Sequence, residues 1–394
     1  MSRCTCPLCG GDTLLPILRR PHVPVFQNGL YADHASALAA TDGALAITLC
    51  RQCGFVFNAD FDSARIAYGD SYENDQTVSG VFAAHVDRMA DRVLTAVAGV
   101  DRPVVLEVGC GQGYFLHRLA RRSTVPLAGA LGFDPAFRGE GHFPDGVVVQ
   151  SRLFDAAAAA EIDAPISVIV SRHVIEHVDD PVGFLSAIRA ALRPGSMPRL
   201  FLETPCVRWI LAGGVVQDFF YEHCSYFTLD TLRYALKRAG WTPVAGETVF
   251  EDQYLWLEAQ PDWTAAGEAS FPDATGLADL AIDFADRTNG AVAHWRQLLI
   301  ERGKVGPVAV WGAAAKGTTF VTTIDPGADT IDCLIDVNPK KQCGFTPLTG
   351  HPILSPKQAA ARGVRTAIIM NPNYRDEIAA LCRAEAFSFD LLDG

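Results

Sequence analysis

The stretch Leu106-Glu107-Val108-Gly109-Cys110-Gly111-Gln112-Gly113 sets three glycines at alternate positions directly behind an apolar run that starts at Val104. Val104-Val105-Leu106 predicts a buried strand. Glycines at that spacing predict a turn whose backbone can lie against a ligand with no Cβ atoms in the way. Asp134 comes twenty-one residues after Gly113, in Gly132-Phe133-Asp134-Pro135, at the end of the next predicted strand. An acid there can accept both hydroxyls of a ribose. The pairing of glycine turn and acid is much more specific than the glycines alone. A G-x-G-x-G spacing in place of G-x-G-x-x-G, with Glu107 ahead of the first glycine, favours S-adenosylmethionine over NAD.

Outward from this turn the chain alternates strands and helices, which predicts a doubly wound α/β domain over residues 76–260. It opens with an amphipathic stretch around Val86 to Val97. Strands are expected at Leu127 to Phe133, Ile166 to Val170 and Leu200 to Glu203, with a late pair at Pro243 to Phe250 and Tyr254 to Ala259. Residues 261–394 hold a helical stretch from 277 to 302, with Asn289-Gly290 as a candidate break within it. It leads into a second, smaller nucleotide-fold-like unit. That unit opens on the strand Val308 to Trp311 and the small-residue turn Gly312-Ala313-Ala314-Ala315-Lys316, and strands at Ile331 to Asp336 and Thr366 to Met370 follow.

Residues 1–75 carry Cys6-Pro-Leu-Cys9 and Cys50-Arg-Gln-Cys53, two C-x-x-C knuckles. Each knuckle presents two sulfurs from one tight turn, and Gly10 and Gly54 just behind them supply permissive backbone. Four thiolates so placed predict a closed tetrahedral zinc site, structural because it leaves no open position for water. Cys4 is a spare. The other cysteines among the eleven are scattered, which argues for buried thiols rather than a disulfide framework.

At 394 residues the chain is expected to form two or three domains. A formal net charge of −12 disfavours nonspecific binding to nucleic acid or to an anionic membrane. It leaves room for a small anionic ligand held by a helix N-terminus and a few local cations. The apolar runs are shorter than a bilayer span, and the N-terminal sequence lacks a secretory pattern. A cytoplasmic monomer or small homo-oligomer is the expectation.

Two further stretches carry titratable groups. "SRHVIEH", residues 171 to 177, spells the H-x-x-E-H of inverted zinc peptidases with His173, Glu176 and His177. A strand feeds into it and Asp179-Asp180-Pro181 follows at once, so its histidines do not share a helical face and the peptidase reading is set aside. It is read as a turn at the crevice edge. Phe219 to Phe227, "FFYEHCSYF", packs Glu222, His223, Tyr221 and Tyr226 among aromatics, the setting in which proton-transfer groups are found.

The glycine turn and Asp134 resemble the first motif of class I S-adenosylmethionine-dependent methyltransferases. The whole layout is similar to the sugar C-methyltransferases that act on nucleotide-linked deoxy-keto sugars. These combine an N-terminal four-cysteine zinc domain, a central methyltransferase domain and a C-terminal Rossmann-like domain. The resemblance implies zinc ligation by Cys6, Cys9, Cys50 and Cys53, and cofactor contacts from Glu107, Gly109, Gly111, Gly113, Asp134 and His173. It implies a catalytic Glu222-His223 pair, with His177, Tyr221 and Tyr226 as further catalytic candidates. Tyr72, Lys316 in the G-A-x-A-K turn and Asn371 are candidate acceptor contacts. One departure stands out: the family's active-site tyrosine, two positions before the glutamate, is Phe220 here. The implied chemistry removes a proton beside a ketone and methylates the carbon of the resulting enolate. The rivals are an O- or N-methyltransferase on a sugar nucleotide or natural product, and a zinc-knuckle binding module without turnover.

Overall fold

The computed structural model describes residues 2–66, 79–264 and 269–394, and the chain is mixed α/β, built on three sheets. The first sheet begins with β1 (Leu14–Pro24) and β2 (Asp42–Cys50), a long antiparallel pair to which the short β3 (Val56–Asn58) adds. None of these strands was among those expected. The reason lies in β1, LLPILRRPHVP, where prolines and charged residues blur the period-two pattern. It is an edge strand, which tolerates proline, and its register slips between Pro16 and Leu18 and between Arg20 and Val23.

The central sheet is entered through the helix Gly80–Ala96. The Ser79 hydroxyl caps it by accepting the Phe82 N–H, and Phe82, Val86, Met89, Ala90 and Val93 fall on one buried face at three- and four-residue spacings. Five strands then run parallel: β4 (Val104–Val108), β5 (Gly129–Phe133), β6 (Val147–Gln150), β7 (Ile166–Arg172) and β8 (Arg199–Pro205). Their order in space is β6-β5-β4-β7-β8. The chain thus winds outward from β4 in one direction and returns to its other side with β7. A crevice opens at the strand C-termini where the order reverses, and ligands bind there in folds of this kind. All five residues of β4 are buried, as a strand covered on both faces requires.

A two-residue strand, β9 (Ser225–Tyr226), leaves the central sheet and pairs with β3 (Val56 opposite Tyr226, Phe57 opposite Ser225), completing a four-stranded first sheet. The hairpin of β10 (Trp241–Val249) and β11 (Tyr254–Pro261) then finishes the central sheet, with β11 antiparallel between β10 and β8.

The helix Thr275–Gly303 covers the expected stretch and runs unbroken through the candidate break at Asn289-Gly290. A glycine inside a helix costs about 1 kcal/mol, and both ends here are anchored. Leu277, Ala278, Ala281 and Phe284 pack with residues of the first sheet, and Leu299 packs with Val308 and Val310. Beyond the helix, β12 (Val308–Trp311), β13 (Ile331–Ile335), β14 (Ile353–Leu354), β15 (Thr366–Ile369) and β16 (Asp390–Asp393) form an all-parallel sheet in the order β14-β13-β12-β15-β16. No helix among the described residues is long and apolar enough to cross a membrane.

Candidate active site

Strand β4 delivers the glycine turn to the crevice. Gly109, Gly111 and Gly113 have φ of +75°, +55° and +81°, left-handed values that only glycine adopts without strain. A Cβ on Gly109 would stand 2.2 Å from Val174 Cγ2, so the turn also lies tightly against the "SRHVIEH" segment. Asp134, just beyond β5, accepts the Gly111 N–H at 2.7 Å and the Ala136 N–H at 2.8 Å, one with each carboxylate oxygen. The acid and the glycine turn are therefore one hydrogen-bonded unit.

Glu107 is 3% exposed, and its Oε2 has no hydrogen-bond partner among the described residues. Burial pushes its carboxyl up to about 8; Arg172 opposes that shift and Asp134 adds to it. Ser171 Oγ, Arg172 Nη2 and His173 Nε2 are likewise buried and unpartnered. Polar atoms left unpaired in one crevice call for a polar ligand, because each carries a desolvation cost. The amino-acid end of S-adenosylmethionine matches that need, so the residues fit the cofactor. Arg172 is fixed by Glu203, Nε to Oε2 at 2.5 Å, and lies over the Phe115 ring. Glu203 also takes the ring of His85 at 2.5 Å. Burial opposes ionisation of Glu203, but Arg172 and His85 outweigh it and hold the carboxylate well below its usual range. Ser171, Arg172, His85 and Glu203 were not singled out from the sequence. The first two lie inside the quoted heptad, whereas the His85 to Glu203 contact spans 118 residues.

His173 and His177 part ways. His173 has φ +54°, its ring stands edge-on to Tyr254, and Nδ1 lies 3.3 Å from Glu176 Oε1. His177 sits one 3-10 turn later. Two bonds fasten this turn to the aromatic stretch: Cys224 N–H to Glu176 O at 2.9 Å, and Ser225 hydroxyl to Val178 O at 2.6 Å. As a result the rings of His177 and His223 meet edge to face, 4.7 Å between centroids, with Phe220 against His223 at 4.0 Å. Burial lowers the pKa of both imidazoles, and that of His223 falls furthest, helped by His177, His173 and Lys316. Both are neutral at pH 7.

The other candidates stand as follows. The Glu222 carboxylate accepts the Gln27 N–H at 2.8 Å, and the Gln27 carbonyl in turn accepts the Thr318 hydroxyl. The Tyr226 hydroxyl is engaged with the Phe220 backbone, accepting its N–H and donating to its carbonyl at 3.2 Å each. The Tyr221 hydroxyl is engaged in the same way with Asp62. Lys316 pairs with Asp218 at 2.8 Å over the Trp209 ring. Asn371 exchanges two amide bonds with Gln253. Tyr72 lies outside the described residues.

Where β2 turns into β3, the Sγ atoms of Cys6, Cys9, Cys50 and Cys53 all lie within 4.8 Å of one another, with Cys6 to Cys53 at 3.7 Å and Cys9 to Cys50 at 3.5 Å. A tetrahedral zinc with Zn–S of about 2.3 Å sets its sulfurs about 3.8 Å apart, so the donor set fits. Gly10 and Gly54 have φ of +79° and +76° and close the two knuckles with N–H bonds to the Cys6 and Cys50 carbonyls. Cys4 is exposed and outside the group.

Residues 82–245 match the family model described as "Methyltransferase domain", and residues 273–386 match that of the "C-methyltransferase C-terminal domain". C-methyltransferase NovU of Streptomyces niveus is 26% identical over 390 residues, covering 95% of this chain and 90% of that protein. The ubiquinone biosynthesis O-methyltransferase of Ruegeria sp. (strain TM1040) is 27% identical over 174 residues, covering 39% of this chain and 65% of its own length. Among solved structures, magnesium protoporphyrin IX methyltransferase (ChlM) from Synechocystis PCC 6803 with bound SAH is 16% identical, covers 50% of this chain and 91% of that one, and superposes with a TM-score of 0.35.

Proposed function

Given that the chain is an S-adenosylmethionine-dependent methyltransferase of the class I family, we propose that it methylates carbon, next to the ketone of a nucleotide-linked deoxy-keto sugar. The observation that carries this reading is the edge-to-face pair of His177 and His223 fastened at the crevice edge. Likeness to the C-methyltransferase runs through nearly the whole chain, whereas likeness to the O-methyltransferase is confined to a stretch of 174 residues, which supports carbon over oxygen.

When bound, S-adenosylmethionine supplies a methyl group made electrophilic by its sulfonium. The glycine turn and Asp134 would hold its ribose, and Glu107, Ser171 and Arg172 would take its amino-acid end. His223, neutral because burial keeps its pKa low, takes the proton from the carbon beside the ketone. The electron pair of that C–H bond moves onto the ketone oxygen as an enolate, whose α-carbon would receive the methyl as the S–CH3 bond breaks and its electron pair stays on sulfur. Glu222 is turned toward Gln27, so the task of setting the His223 ring falls to His177 and to Phe220. Tyr221 and Tyr226, their hydroxyls occupied by backbone, serve as supports. Zinc at Cys6, Cys9, Cys50 and Cys53 holds the N-terminal segment and takes no part in the chemistry.

A panel of keto-sugar nucleotides carrying deuterium at the α-carbon, offered with labelled cofactor and read by mass spectrometry, tests the reading. Methylated product that has lost one deuterium is expected. In single turnover His223→Asn should keep cofactor affinity and lose roughly a hundredfold in rate. The acid limb of the wild-type rate should lie below the ordinary histidine pKa of about 6.5. Product that retains all its deuterium, or near-normal turnover by the variant, refutes the assignment.

A further inference from the structure

Glu176, His177 and His223 each place one ligand atom within 4.8 Å of the other two. The cysteine group shares none of its residues. Glu176 is 1% exposed, and a buried carboxylate needs partners that compensate its charge. Its contacts here are the Thr204 hydroxyl on Oε2 at 2.9 Å and the His173 ring 3.3 Å from Oε1.

One feature matches what metal ligands require: Glu176 is held by the Thr204 hydroxyl on Oε2, and ligating carboxylates are characteristically hydrogen-bonded in turn. Two imidazole nitrogens and one carboxylate oxygen form a donor set that binds zinc and leaves a coordination position open.

We propose that Glu176, His177 and His223 bind a divalent transition metal, zinc by the chemistry of the donors, and that its occupancy switches methyl transfer off by taking the lone pair His223 needs to accept a proton. The binding claim stands on the three donors alone, and the switching claim rests on His223 being the base. Three ligands without thiolate bind less tightly than the four-cysteine group, so a mild chelator removes this ion first and restores activity.

The test uses the full chain, stripped of loosely held metal and titrated with Zn2+, then separately with Co2+ as a spectroscopic probe. The wild type should take up one ion beyond that of the cysteine group, show the visible absorbance of nitrogen- and oxygen-bound Co2+, and lose transfer activity at least tenfold until chelator is added. Glu176→Gln, whose amide still accepts the Thr204 hydroxyl, should lose the additional ion and resist zinc; its ratio of activity with and without zinc should stay near one. His177→Gln provides a second variant should the first fail to show a wild-type-like cooperative melt. No additional ion in the wild type, or equally tight uptake by both variants, overturns the site. An additional ion bound without inhibition overturns the switch, and metal-free His223→Asn then shows whether the base assignment falls with it.

Discussion

Replacing Asp134 by alanine should weaken S-adenosylmethionine binding ten- to a hundredfold, about 1.4 to 2.8 kcal/mol. Hydrogen bonds to a charged acceptor contribute roughly 1.5 to 3 kcal/mol each; two from the ribose would exceed the stated range, but water entering the emptied site recovers part of the loss. The geometry adds a sharper expectation for Asp134→Asn. Each carboxylate oxygen already holds a backbone donor, Gly111 N–H at 2.7 Å and Ala136 N–H at 2.8 Å. An asparagine offers one acceptor oxygen and sets its NH2 against the other N–H, donor facing donor. The turn must then shift, so asparagine should bind cofactor no better than alanine does. A residue that touched the ribose alone would keep half its bonds as asparagine. Calorimetric titration of both variants, with folding checked by circular dichroism, measures the difference. Affinity of Asp134→Asn within threefold of wild type would refute the coupling of acid and glycine turn.

Glu107, raised to about 8 by burial, is mostly protonated in the free protein at pH 7. Binding a cationic cofactor should ionise it, so affinity rises with pH up to about 8 and levels off above; calorimetry at pH 7 in buffers of different ionisation heat should register proton release, and its absence refutes the placement. Gly109→Ala combines a φ of +75° with a 2.2 Å approach to Val174. It should destabilise the chain by about 1 to 2 kcal/mol or more and abolish tight cofactor binding, read as a lowered melting temperature that cofactor no longer raises. Cys50→Ser combined with Cys53→Ser should lose the cysteine-bound zinc by metal analysis and melt the first sheet early; full zinc occupancy would exclude those ligands. Tyr226→Phe removes the hydroxyl clasp on Phe220 and should cost about 1 kcal/mol of stability with less than a tenfold change in single-turnover rate. A loss as large as that of His223→Asn would return the tyrosine to proton transfer.

The parts of the fold legible in the sequence are those whose signal is local. Apolar runs marked the strands β4, β7 and β8 within a residue or two, and the glycine turn and Asp134 were legible because positive φ and a short turn confine the choice of residue. The first sheet was not legible: Pro16 and Pro21 in β1 sit at register slips that only pairing with β2 reveals. In the Thr275–Gly303 helix the local Asn-Gly signal was overruled by anchors at both ends. At the site, Glu222 and His223 are adjacent in sequence, yet the first is turned to Gln27 and the second to His177 and Phe220. Neighbours in the chain need not share a task where the backbone turns, as it does at Tyr221 and Glu222 just ahead of β9. The partners that decide the matter, Gln27, Thr204 and Glu203, lie tens to hundreds of residues away from the groups they hold.

Strand β9 bears on how this protein can be recombined. Ser225 and Tyr226 lie just past the Glu222-His223 pair, with Cys224 between, and form the edge of a sheet whose other three strands belong to the first 58 residues. A chimera joined at residue 75, with a relative's N-terminal segment in front, would therefore present foreign side chains to this edge and a foreign loop to Glu222 in place of Gln27. Successful exchanges should be those that carry residues 219–227 along with the graft. By the same logic the two stretches should drift through evolution as one unit, a substitution in β3 being answered in β9 rather than in the sequence that lies between them.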